Sequence, residues 1–111
     1  MKVKIVRKDK GINATGEFNF ETKQLVVKKG STVSNTISQS PTFRGSNAIV
    51  EYRDKYVKNG IVTEDVFFKS SSTAANFVTG SSSNGLTVWK TVEGITLKEL
   101  SKTLMNKTIT F

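Results

Sequence analysis

The chain has 111 residues, 36% of them apolar and 9% aromatic, which suffices for one modest core and leaves no room for a second. It contains no cysteine and no histidine. Disulfides, thiolate nucleophiles and cysteine metal cages are therefore excluded, and so is the commonest general base. Seventeen Lys and Arg stand against nine Asp and Glu, a net charge of +8, and such a surplus on a small body favours polyanionic partners.

In chain order, Lys2 and Lys4 alternate with Val3 and Ile5, which predicts a half-buried strand with its lysines in water. Val6 interrupts the polar side, so that side is expected to be partly covered. The opening MKVKIVRKDK has no apolar segment behind it and does not read as a secretory signal. No run approaches the ~18 apolar residues of a membrane span, so a reducing, cytoplasmic setting is expected. Lys8 to Gly11 is a polar turn. Ile12, Ala14, Gly16, Phe18 and Phe20 share one parity, a second strand in which Gly16 marks a bulge or a close approach. Glu21 to Gln24 is the expected hairpin loop, and Leu25 to Val27 the third strand. Links this short allow only an antiparallel meander.

Residues 31–42 are hydroxyl-rich, carry the single proline, Pro41, and read as a loop. A helix is predicted over Phe43 to Lys58, with Ala48, Ile49, Tyr52, Tyr56 and Val57 on its apolar face and Asn59-Gly60 as its stop. Arg44, Arg53, Lys55 and Lys58 fall on or near its charged, solvated side, partly offset by Glu51 and Asp54. Ile61-Val62 and Val66 to Phe68 read as short strands. Ser70 to Ser72 supply N-caps for a short helix through Val78 that buries Ala74, Ala75, Phe77 and Val78 and ends at Gly80. The adjacent alanines imply backbone packed on backbone. Asn84-Gly85 is expected to turn the chain into a strand from Leu86 to Lys90. Glu93-Gly94 turns it again, and Thr96 to Glu99 fits a capping box for a helix burying Leu97, Leu100 and Leu104. Residues 107–111 read equally as a last strand or a frayed end. The fold class is α+β, a small antiparallel sheet packed with two or three short helices, as one domain over 1–111.

Few residues suggest chemistry. Gly80 to Thr87 has the glycine spacing of a phosphate loop, but Leu86 stands where the lysine belongs. What survives is a weaker option, hydroxyls and backbone amides accepting an anion, beside the plain reading of caps and turns. Glu64 and Asp65 are adjacent, and neighbours on a strand point to opposite faces, so they do not converge on a metal. Without histidine only an unusual Ser-Lys dyad remains, with no motif around it. No enzyme and no cofactor are expected. Trp89 reads as a core anchor or as a platform for a base, and its parity with Thr87 leaves both open.

Ser70-Ser71-Ser72-Thr73-Ala74-Ala75, followed by Gly80, Asn84-Gly85, Trp89-Lys90, Gly94 and Thr96-Leu97, resembles the signature of DUF4357, a domain of unknown function. The likeness spans about residues 11–100. Lys29-Gly30-Ser31 resembles that family's segment after its hairpin, and Arg44 and Gly60 can be matched to its helix arginine and closing glycine. The family's usual proline after the first serine is Ser71 here. More loosely, the chain is similar to restriction-enzyme adenine-methylase-associated domains. The resemblance implies accessory work on DNA beside GIY-YIG nuclease-like or methylase partners, which would be a separate chain here.

The expectation is a non-catalytic accessory domain binding nucleic acid, DNA favoured. Phosphate contacts are assigned to Lys28, Lys29, Arg44, Lys69 and Lys90, with Ser82, Asn84 and Gly85 near the backbone. The rival is a protein-interaction or structural module whose charge serves solubility.

Overall fold

Alternating burial along the first two strands follows their alternating polarity. A computed structural model describes residues 1–35, 37 and 46–102. In β1 (Lys2–Arg7) the side chains of Val3 and Ile5 are buried, and in β2 (Ile12–Phe18) those of Ile12, Ala14 and Phe18. A single 3-10 turn, Lys8–Lys10, reverses the chain between them, closed by Gly11 at φ 67°. β3 (Leu25–Val27) follows a loop in which Asn19 Oδ1 accepts from the amides of Glu21 and Thr22. This is the antiparallel meander the short links predict, and β6 (Val66–Phe68) extends it. The order is β1-β2-β3-β6, antiparallel throughout.

Gly16 marks a close approach and no bulge, because pairing with Val3 and Val27 runs through it unbroken. A Cβ there would lie 2.9 Å from Leu25 Cδ2 and 3.3 Å from Trp89 Cζ3.

The predicted first helix is shorter at its C-terminal end. α1 spans Ser46–Tyr56, and Val57–Lys58 (β4) pairs with Ile61–Val62 (β5) as a separate two-stranded ribbon. Asn59 and Gly60 both adopt the left-handed conformation, at φ 54° and 78°. They therefore form the two-residue hairpin turn that Asn-Gly favours, and not a helix cap. Ile49 is buried, and Tyr52 packs tilted against Phe68 with ring centroids 5.0 Å apart, whereas Ala48 is exposed.

Arg53 also departs from expectation. Its guanidinium turns inward from α1, donating to the Phe77 carbonyl (2.9 Å), the Val78 carbonyl (3.1 Å), and the Ser34 carbonyl and hydroxyl (each 2.8 Å). Burial pulls its pKa down to about 10, so it is still a cation at neutral pH. Phe77 and Val78 lie in the last turn of α2 (Ser71–Thr79), where unpaired carbonyls and the helix dipole attract positive charge. The helical period of α1 places Arg53 beside solvated lysines; the carbonyls that draw it inward belong to another element.

α2 itself forms as the sequence predicts. Ser70 Oγ accepts from the Thr73 amide, and Gly80 ends the helix at φ 72°. A serine cap of this kind contributes about 1 kcal/mol. Ala74, Ala75, Phe77 and Val78 face the sheet and are fully buried. Thr96 caps a last helix, α4 (97–102), accepting from the Glu99 amide at 3.2 Å, with Leu97 buried and Leu100 half-buried. Leu104, the 107–111 tail and half of the proline loop, Pro41 included, lie outside the described residues.

Candidate functional site

Several residues carrying the family likeness, Ser71, Ser72, Ala74, Ala75, Gly85 and Trp89, meet on the covered side of the sheet. Leu86 to Lys90 is not a strand: Gly85–Val88 (α3) is one helical turn, capped by Asn84, whose side chain accepts from the Leu86 amide at 3.0 Å. Gly85 lies against the start of α2, where an added Cβ would stand 2.3 Å from the Ser71 carbonyl carbon. Its amide donates to Ser72 Oγ at 3.0 Å. The missing side chain, and not a positive φ, is what this glycine supplies. The indole N–H of Trp89 donates to the Ser71 carbonyl at 3.0 Å, and the residue is 0% exposed. Trp89 is thus a core anchor, and the stacking alternative is closed.

Gly85 is accordingly occupied in holding α2, and the Asn84 side-chain oxygen is engaged in capping α3. Ser82 is exposed on the loop between α2 and α3. The neighbouring Ser83 amide donates to Asn76 Oδ1 at 2.8 Å, which ties that loop to α2. None of these three joins the candidate lysines. Arg44 lies outside the described residues.

The lysines gather elsewhere. No described element covers the outer face of the four-stranded sheet. Register and burial place Lys2, Glu17, Val26 and Phe67 in one row across it, with Lys4 and Thr15 in the next. Lys28 continues that second row, since its amide donates to the Thr15 carbonyl at 2.9 Å. At the other edge Lys4 and Lys90 exchange both backbone hydrogen bonds, at 2.7 and 3.0 Å. Residues paired in this way project their side chains to the same face. Lys69 follows β6 at the parity of Phe67 and is exposed.

Three candidate cations, Lys28, Lys69 and Lys90, are therefore brought to one face. Lys29 is exposed just past the end of β3. Lys2 and Lys4 belong to the same face and were missed as candidates, although their alternation with Val3 and Ile5 carries the signal. Phe67 was missed as well. It is 52% exposed between buried Val66 and Phe68, a period-2 position that a solvated sheet face normally fills with polar residues.

Two carboxylates share this face. Glu17 sits 3.3 Å from the Met1 ammonium. Asp65 accepts from the Lys29 amide at 2.8 Å and from Lys28 Nζ at 3.0 Å. These contacts, the backbone one foremost, hold the Asp65 carboxyl below its usual 3.8. The described residues contain no cluster of three or more acidic side chains able to hold a metal ion, and no helix among them is long and apolar enough to cross a membrane.

The family model described as "Domain of unknown function (DUF4357)" matches residues 5–101, and the chain belongs to that family. The match begins within β1, ahead of the residues 11–100 that carry the likeness. No curated protein and no solved structure matches the chain.

Proposed function

We propose that this DUF4357 domain is a non-catalytic accessory module that binds nucleic acid, DNA above all, through the outer face of its sheet. The observation that supports it is the uncovered lysine face: Lys2, Lys4, Lys28, Lys69 and Lys90 converge there from four separate segments. Glu17 pairs with the Met1 ammonium and Asp65 with Lys28, and with Glu21 beside the Phe67 cleft the five lysines still leave the face a positive excess. Any nuclease or methylase it serves lies outside these 111 residues.

Binding of this kind releases counterions, so affinity falls with salt by roughly one log-slope unit per phosphate neutralised. Anisotropy titrations of labelled oligonucleotides between about 50 and 200 mM salt should show a steep slope. Lys4→Gln and Lys28→Gln should each reduce that slope by up to about one unit. Absence of binding to any oligonucleotide at low salt overturns the proposal.

A second reading, a protein-interaction module, draws on Val6 and Val92, 52% and 70% exposed, which line one cleft beside Lys4 and Lys90. A stable protein partner recovered without nucleic acid, and lost on Val92→Ser, would favour it.

A further inference from the structure

We infer that the ligand is single-stranded, with an unpaired base stacked on Phe67 and its backbone following the Lys28–Lys4–Lys90 row. This rests on the proposed nucleic-acid function and narrows it to one structural class. Phe67 is aromatic and half exposed at the centre of β6, on a face no described element covers. The core does not need it, because Phe68 and Phe77 fill the other side, each at most 2% exposed. Beside it lies an open cleft of about 660 Å³ lined by Val26, Phe20 and Gln24, with the carboxylates of Glu17 and Glu21 also on its lining. The aromatic and aliphatic side chains suit the face of a nucleobase and the Gln24 amide its polar rim, while Glu17 and Glu21 repel phosphates from the cleft and leave them to the lysine row.

The charges stand at a workable offset. Neighbouring strands lie about 4.8 Å apart, so the row Lys28, Thr15, Lys4, Lys90 spans about 14 Å across the sheet. The row containing Phe67 and Val26 runs parallel to it, about 7 Å away along the strands. A strand laid across the sheet can thus keep its phosphates over ammonium groups while a base reaches the ring. A duplex offers this surface only its phosphates, since its base faces are stacked inside and its grooves are read by a helix or ribbon that enters them. Lysines alone explain binding to both forms; an exposed phenylalanine beside them distinguishes the two.

The test compares an oligothymidylate of about a dozen nucleotides with a hairpin duplex of equal phosphate number. Wild type, Phe67→Ala, Phe67→Leu and Phe67→Tyr are titrated by anisotropy, with circular dichroism confirming the fold. Leucine keeps the apolar bulk if alanine disturbs β6. The single strand should bind wild type more tightly than the duplex. Phe67→Leu and Phe67→Ala should weaken the single strand about tenfold and leave the duplex within about twofold, with Phe67→Tyr near wild type. Equal weakening of both ligands, or none, overturns the stacking claim while leaving the lysine face intact. Binding to neither ligand by wild type overturns the parent reading and this one together.

Discussion

On one side of the sheet, Gly16, Trp89, Gly85 and the paired alanines of α2 pack so closely that Gly85 has no room for a methyl group and Gly16 could take one only if the Leu25 side chain moved. On the other, Lys2, Glu17 and Phe67 are exposed with no described element over them. The DUF4357 signature is concentrated on the first side. It is therefore a structural signature, describing how α2 is fastened to the sheet, while the surface offered to a partner is written in ordinary strand alternation. The contrast predicts that substitutions on the closed side change stability and those on the open side change binding.

The largest effect is expected at Gly85. Gly85→Ala forces a methyl group into the Ser71 carbonyl and should destabilise by about 3 kcal/mol, read as a lower urea midpoint. Gly11→Ala is the control: φ is 67° but nothing lies within 4 Å, so only backbone strain of about 1 kcal/mol is expected. If the two shifts were equal, the crowding account of Gly85 would be wrong. Next comes Arg53→Met, which preserves much of the apolar stem but leaves the Phe77 carbonyl without its arginine donor. A loss of about 2 kcal/mol is expected, with Arg53→Lys in between.

The smallest stability effect should come from Asp65→Asn on the open face. Because the folded carboxyl titrates below 3.8, the ionised group's contribution is present above that value and lost as pH falls through the folded pKa. The variant should lack this small acid-side loss. At neutral pH its stability should stay close to that of wild type, as expected for an exposed pair. Its effect on oligonucleotide affinity should be larger, an increase, since Lys28 no longer faces a competing carboxylate. Unchanged or weaker binding would remove Lys28 from the interface.

What the sequence made legible was local. Alternation marked β1 and β2, and Ser70, Gly80 and Thr96 marked helix ends, because each signal concerns a group's own neighbours. The two Asn-Gly pairs show where this stops. Asn59-Gly60 looked like a helix stop and is a hairpin turn; Asn84-Gly85 looked like a turn and caps a helix. The dipeptide states a tolerance, and the surroundings decide which property is used: left-handed freedom at Gly60, missing bulk at Gly85. Arg53 was misplaced for the same reason, since its acceptors lie 19 to 25 residues away. The lysine face was half visible, with Lys28, Lys69 and Lys90 chosen for charge and Lys2, Lys4 and Phe67 recognisable only once register placed them in rows.

The chain's one tryptophan is shut inside the joint between α2 and the sheet. Its ultraviolet emission is consequently a gauge of whether that joint is intact. A ligand settling on the far side of the sheet should leave it undimmed, whereas opening of the joint should shift it to the red, so the protein carries a built-in reporter for folding that is blind to occupancy.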